Sequence, residues 1–276
     1  MEQVVSILAS SSAFANASDL CKQDEIKTFF TQVAKSYATP SFIASDPIWV
    51  PHQFDRSEDK EISAFLTALI AWGRRSVITK FAWQWMKLMD FAPYDFLLHA
   101  QEKDLRVMRS FYYRTLSGED VFQLIFRLWL LYQGGETLRS FAQKAVQKQG
   151  ILGFWIEVRK WFGVTPVLQH LISQPERGAG KRIHLFLRWM VRKDAVDFGL
   201  WNAFLKPKEL FIPLDTHVHR LSLRFQLIQR RTSDWKAVCE LTRVLRTWNP
   251  EDPIFYDFAF IGLGTEERIS KSSIFE

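Results

Sequence analysis

Residues 177–182, Arg177-Gly178-Ala179-Gly180-Lys181-Arg182, lead into Ile183-His184-Leu185-Phe186-Leu187-Arg188-Trp189-Met190-Val191-Arg192, and residues 213–220, Pro213-Leu214-Asp215-Thr216-His217-Val218-His219-Arg220, open a second such segment. In the first, Ile183, Phe186, Leu187 and Met190 recur with helical spacing, while Lys181, His184, Arg188 and Arg192 fall three or four residues apart on another stripe. In the second, Asp215 stands where an N-cap belongs, Thr216 is the first helical residue, and Val218, Leu221 and Phe225 share an apolar face. A lysine opens one helix and an aspartate the next. The linker between them is long enough to bring the two starts together.

The same period recurs outward along the chain. Asp55 with Glu58 reads as a capping box for a helix whose apolar face is Ile62, Phe65, Leu66 and Leu69, closed by the glycine of Ala71-Trp72-Gly73-Arg74-Arg75. Ile78, Phe81, Trp85 and Leu88 continue as a further helix. Others are predicted over 94–100, 119–133, 137–148, 151–162, 181–192, 214–227, 233–247 and 252–262. Residues 41–56 read as an extended, turn-rich connection, and a helix is expected from about Lys22 to the Thr39-Pro40 break. No segment carries a convincing period of two, and no fixed repeat is visible, so the predicted class is all-α, a multi-helix array rather than a solenoid. The expected organisation is a loose arm over 1–21 and one compact helical unit over 22–276, with two lobes and a cleft between them.

Composition narrows the function. The 276 residues include 11 Trp and 24 Phe, enough to fill a large core. Two cysteines are too few for a disulfide framework or for a four-cysteine metal or iron–sulfur site, which points to a reducing, cytoplasmic compartment. The opening lacks the positive region of a secretory signal, and no apolar run approaches the ~20 residues of a membrane span, so no membrane is expected. Net charge is +6, and residues 177–231 hold 12 basic against 4 acidic side chains, a local field suited to a polyanion or simply a solvated basic surface.

His217 and His219 diverge on a helix, so no metal is assigned, and no cofactor or obligate protein partner is inferred. Zinc-hydrolase, Walker-type and nucleophile-elbow motifs are missing. The Trp72-Gly73-Arg74-Arg75 corner pairs an aromatic face with two guanidinium groups, a combination able to stack on a base and hold a phosphate. A core tryptophan with two solvated arginines is the structural alternative.

Gly178-Ala179-Gly180-Lys181-Arg182 before a helix, followed by Ile212-Pro213-Leu214-Asp215-Thr216-His217-Val218-His219-Arg220, resembles the helix-hairpin-helix DNA glycosylases. More closely, Asp46-Pro47, Pro51-His52-Gln53-Phe54, Ala71 to Arg75, Lys181-Arg182 with Leu185 to Arg192, and Tyr256-Asp257-Phe258-Ala259 resemble an uncharacterised bacterial family of unknown function over most of residues 40–264. The first resemblance implies a two-lobed helical fold, DNA as partner, Asp215 as the group that stabilises charge on the sugar, and Lys181 as nucleophile. In the common hairpin one residue separates Gly-x-Gly from the lysine, which would put Arg182 there instead, and arginine cannot form the Schiff base. Gly178, Gly180 and Arg182 would meet backbone phosphate, as would Arg188, Arg192, Arg220 and Arg224; Trp72, Arg74 and Arg75 would approach the flipped base or the opposite strand. The readings carried forward are a base-excision glycosylase with or without lyase activity, a non-catalytic nucleic-acid-binding protein on the same scaffold, and an enzyme on another nucleobase or nucleoside.

Overall fold

A computed structural model describes the backbone of residues 17–272 and the side chains of residues 23–265. It is helical throughout: α1 (Ala17–Tyr37), α2 (Pro40–Ile43), α3 (Trp49–His52), α4 (Ser57–Leu69), α5 (Arg75–Lys87), α6 (Pro93–His99), α7 (Gly118–Gln133), α8 (Leu138–Phe162), α9 (Pro166–Leu171), α10 (Lys181–Val191), α11 (Thr216–Arg224), α12 (Trp235–Trp248) and α13 (Asp257–Ser272). Single 3-10 segments lie at Asp104–Ser110, Pro207–Glu209 and Pro253–Tyr256. Among the described residues there is no strand, only isolated bridges at Tyr113–Leu116 and Lys193–Phe198. The all-α class is as the sequence pattern indicates.

Local chemistry explains several boundaries. Ser117 and Asp120 form a capping box at the start of α7, and Thr137 with Ser140 does the same for α8. Gln149 and Gly150 leave helical geometry inside α8, with Gly150 at φ 60°, so the chain turns between two straight runs, as the glycine there predicts. Other expectations fail. Asp55 does not cap α4; its N-cap is Arg56 with no side-chain bond, and Glu58 lies against Arg56 at 3.5 Å. Residues 41–56 are not extended but contain the one-turn helices α2 and α3. The helix expected over 252–262 is a 3-10 turn followed by α13, and α11 is shorter than predicted at both ends. Helix α1 is already formed at Ala17, the first described residue, ahead of the start expected near Lys22, and the rest of the predicted N-terminal arm, residues 1–16, lies outside the described residues.

One connected cluster of buried apolar side chains runs from Ile26 to Leu263. Helix α4 is its axis: from Glu61 to Leu69 every side chain is buried, and Phe65 meets Phe162 at 5.1 Å and Phe186 of α10 at 5.3 Å. At the other end, Phe30 of α1 packs against Phe225, Trp248 and Phe260, which joins the N-terminal helix to α13. Edge-to-face rings at 5–6 Å add to the area they bury.

Glu61 is the exception in this core. It is 2 % exposed, and the indole N–H of Trp201 donates to its Oε1 at 2.8 Å. Burial pushes its carboxyl up to about 7. The folded state therefore holds a proton that the unfolded chain releases between pH 4.5 and 7, so the contribution of Glu61 to stability is greatest below pH 4.5 and is lost as pH rises through 7. Glu61→Gln mimics the protonated form. Urea denaturation should find this variant more stable than the natural protein by up to ~3 kcal/mol at pH 8, with the two converging near pH 4.5.

Candidate functional site

Helix α10 begins at Gly180, an N-cap in the left-handed region at φ 59°, ψ 25°. A Cβ there would lie 2.6 Å from the Trp155 ring, so only glycine lets the chain turn this closely over the indole. The turn sends two adjacent cations different ways. The Arg182 guanidinium lies 4.8 Å from the centre of the Trp72 ring, and its Nη1 donates to the Leu171 carbonyl at 3.0 Å. Burial lowers its pKa to about 10. Lys181 instead places Nζ 3.4 Å from Oδ2 of Asp215 and donates to the Ala71 carbonyl at 3.1 Å.

Asp215 is held from the other side. It is the N-cap of α11, and its Oδ1 accepts the N–H groups of His217 at 2.8 Å and Val218 at 2.9 Å. Burial works against its charge, but Lys181 and these backbone donors keep its carboxyl below the ordinary range. It is therefore an oriented carboxylate at neutral pH, with one oxygen on the helix and the other on the lysine.

Two spaces meet at this pair. An inner cavity of about 120 Å³ is walled by Asp46, Ile78, Leu185, Trp189, Asp257 and Phe260, among others. An outer cleft of about 890 Å³ is lined by Trp72, Arg74, Tyr113, Arg114, Thr216 and Ser233, among others. Gly73, Lys181, Asp215 and His217 line both, so they form the passage from one to the other. The inner volume is close to the ~150 Å³ of a cavity that takes one benzene ring.

The expected phosphate contacts separate into groups. Arg74, Arg220 and Arg224 are exposed, and Arg74 lines the outer cleft. Arg75 turns to the inner cavity, with Nε 3.7 Å from Asp46. Trp72 lines the cleft with its ring packed by Tyr113 and Arg182. Gly178 is half-buried against Ser173 and Gly180 is buried.

Arg188 and Arg192 are corrections: they are 1 % and 3 % exposed and cannot reach a backbone phosphate. Arg188 bonds Asp257 at 2.6 Å and Asp197 at 3.3 Å. Arg192 bonds Asp252 and Asp194 at 2.9 Å, and also Asp197. Burial opposes both charges, yet these carboxylates raise both pKa values. His184 is likewise no surface group: it is 1 % exposed, stacked on Trp235 at 5.5 Å, and lowered by burial to about 3.

Sequence reasoning assigned no site role to Asp46, Arg114, Trp189, His217 or Asp257. A signal for most of them was present: of the motifs that suggested the uncharacterised family, Asp46-Pro47, Ala71 to Arg75, Lys181 with Leu185 to Arg192, and Tyr256 to Ala259 each supply residues to the inner cavity, whereas Pro51 to Phe54 do not. Arg114 had no such signal. It sits in a two-residue turn at φ 55°, donating with Tyr113 to the Trp72 carbonyl.

A family model described as a protein of unknown function (DUF2400) matches residues 46–266. No curated protein and no solved structure matches the chain. No helix among the described residues is long and apolar enough to cross a membrane.

The buried arginines make a stability prediction distinct from a binding one. Arg188→Ala removes the guanidinium that pairs buried Asp257 and leaves Asp197 with Arg192 alone, and should cost about 3–5 kcal/mol in urea denaturation, whereas Arg224→Ala on the exposed end of α11 should stay within ~1 kcal/mol.

Proposed function

The chain belongs to the DUF2400 family, and we propose that it is a DNA base-excision glycosylase acting through Lys181 and Asp215. The observation that carries this reading is the placement of an ion-paired lysine and carboxylate, 3.4 Å apart, at the neck between a ring-sized cavity and an open cleft. The resemblance of the two segments to the helix-hairpin-helix glycosylases supports it further.

A base turned out of a duplex would pass the neck into the cavity, leaving its sugar beside Lys181 and Asp215. The cleft outside carries Arg74 and Arg114 for the phosphate chain. The ammonium of Lys181 gives a proton to solvent, and the free amine then attacks C1′ of the deoxyribose. The N-glycosidic bond breaks with its electron pair on the departing base, which takes a proton from the attacking nitrogen. Asp215, ionised and fixed by the α11 amides, faces the positive charge that develops on the sugar. Opening of the sugar ring moves the remaining N–H proton to the ring oxygen and leaves an imine, which water hydrolyses to restore the lysine.

A second reading rests on the hydrogen bond from Lys181 to the Ala71 carbonyl, which makes the lysine a strut between α10 and the loop after α4. The protein would then bind nucleic acid without reacting with it.

Borohydride trapping on duplexes carrying a panel of damaged bases distinguishes the two. A glycosylase with a lysine nucleophile gives a covalent adduct that Lys181→Ala abolishes, and Asp215→Asn lowers base release by about 10²–10³-fold. Salt-dependent binding that survives Lys181→Ala and Asp215→Ala, with neither adduct nor free base from any duplex, leaves the binding protein.

A further inference from the structure

Beside the outer cleft lies a second hollow, of about 570 Å³, walled by Arg230, Arg231, Thr232, Lys236, Glu240 and Arg243, among others. The two adjoin where Ser233 lines the cleft and its neighbour Thr232 lines the hollow, and both of these residues are exposed. Local contacts hold the wall in shape. Gln226, at φ 56°, ends α11, and the buried Leu227 and Ile228 pin the following loop to the core. Nε2 of His219 donates to the Arg230 carbonyl at 3.0 Å. Asp234 caps α12 through the Ala237 N–H at 3.1 Å, and the Arg230 guanidinium bonds both oxygens of that aspartate. Arg230 is thus part of the frame.

The other three cations are differently placed. Arg231, Lys236 and Arg243 are exposed, and no ion pair among the described residues engages them. Lys236 and Arg243 stand seven residues apart on α12, two turns along one face, while Ala237, Val238 and Leu241 bury the other. Glu240 lies between them, and its Oε1 accepts the Gln229 N–H at 2.8 Å. A concave wall with four cations against one carboxylate concentrates positive potential on whatever enters it. No aromatic side chain lines the hollow, whereas Trp72 and Tyr113 line the cleft. The hollow therefore offers a base nothing to stack on and suits the sugar–phosphate chain instead.

We propose that this hollow is a second nucleic-acid contact, in which Arg231, Lys236 and Arg243 take the phosphates of the strand that leaves the outer cleft past Ser233. It reads no bases and extends the grip of the cleft along the backbone. The inference rests on nucleic acid as the partner of the cleft and is independent of the chemistry at Lys181 and Asp215.

Counterion release gives the test, because each phosphate contact adds about 0.9 to the slope of log affinity against log salt. Fluorescence anisotropy with a labelled duplex, long enough to cross both the cleft and the hollow, measures that slope for the full chain. The triple variant Arg231→Gln, Lys236→Gln, Arg243→Gln should lower it by roughly 2–3 and weaken binding at low salt by about tenfold or more. All three positions are exposed, so the variant should fold, which its urea denaturation checks. A control triple, Lys103→Gln, Arg106→Gln, Lys160→Gln, changes net charge equally at exposed residues that line neither the cleft nor the hollow, and should leave the slope within about 0.5 of the natural value. Exchanging lysine and arginine at the three hollow positions keeps the charge and should keep the slope. An unchanged slope in the first variant, an equal fall in the control, or loss of slope in the charge-preserving variant each overturn the proposal, as does a natural protein that binds no duplex. An unchanged slope in a protein that yields the trapped adduct overturns this inference alone, and the expected slopes in a protein that yields neither adduct nor free base overturn the glycosylase reading alone.

Discussion

The arrangement depends on a buried cluster in which Arg188 and Arg192, at the end of α10, are surrounded by Asp194, Asp197, Asp252 and Asp257. Four of these charges, Arg188, Arg192, Asp197 and Asp257, are buried, and burying them yields little net stability, because desolvation offsets most of the attraction. What such a cluster supplies is geometry. Asp194 and Asp197 belong to the loop that follows α10, Asp252 precedes the last 3-10 turn, and Asp257 is the first residue of α13. The C-terminal half of α10 is thereby locked against α13, and these two helices provide opposing walls of the inner cavity. With that end fixed, the N-terminal end of α10 has no freedom to swing, and Lys181 is held over Asp215 rather than ranging over the surface as a lysine at a helix start ordinarily does.

Periodicity made the helices readable, because an amphipathic helix leaves its signature in every turn. Position after position of α4, α5, α7, α10 and α12 follows it, and Gly150 marks the turn inside α8. Short elements were not readable for the same reason. Four residues of α2 or α3 span barely one turn, too little for a pattern to repeat, and their Thr39-Pro40 and Val50-Pro51 dipeptides look like loop punctuation. The cap of α4 misled differently: Asp55 and Glu58 have the right types and spacing, but the chain enters the helix one residue later, at Arg56.

At the site, charge count and charge position diverged. Arg188 and Arg192 contribute to the basic tally of residues 177–231, yet both are spent on carboxylates, two of them supplied by Asp252 and Asp257 from more than fifty residues downstream. No local pattern announces partners that arrive from another helix. Asp215 was legible because a cap is a local structure: the carboxylate, the two N–H groups and the following apolar face lie within a few residues of one another. The cavity carboxylates were legible only as parts of motifs whose purpose the sequence left unstated.

The contest between Lys181 and Arg182 shows what spacing leaves open. Adjacent residues on a helix point about 100° apart, so only one of the two can face Asp215. The glycine spacing of the common hairpin favours Arg182, but the backbone turn at Gly180 is set by its contact with Trp155, and it rotates the helix start so that Arg182 meets Trp72 and Leu171. Arg182 then has a planar ring and a carbonyl as partners, which suit a delocalised guanidinium, while the compact ammonium of Lys181 takes the carboxylate and the Ala71 carbonyl. The assignment follows from this division of partners. Exchanging the two side chains would put a guanidinium in the neck beside Asp215 and remove the arginine that packs the Trp72 wall, so the order Lys-Arg determines which cation meets the carboxylate.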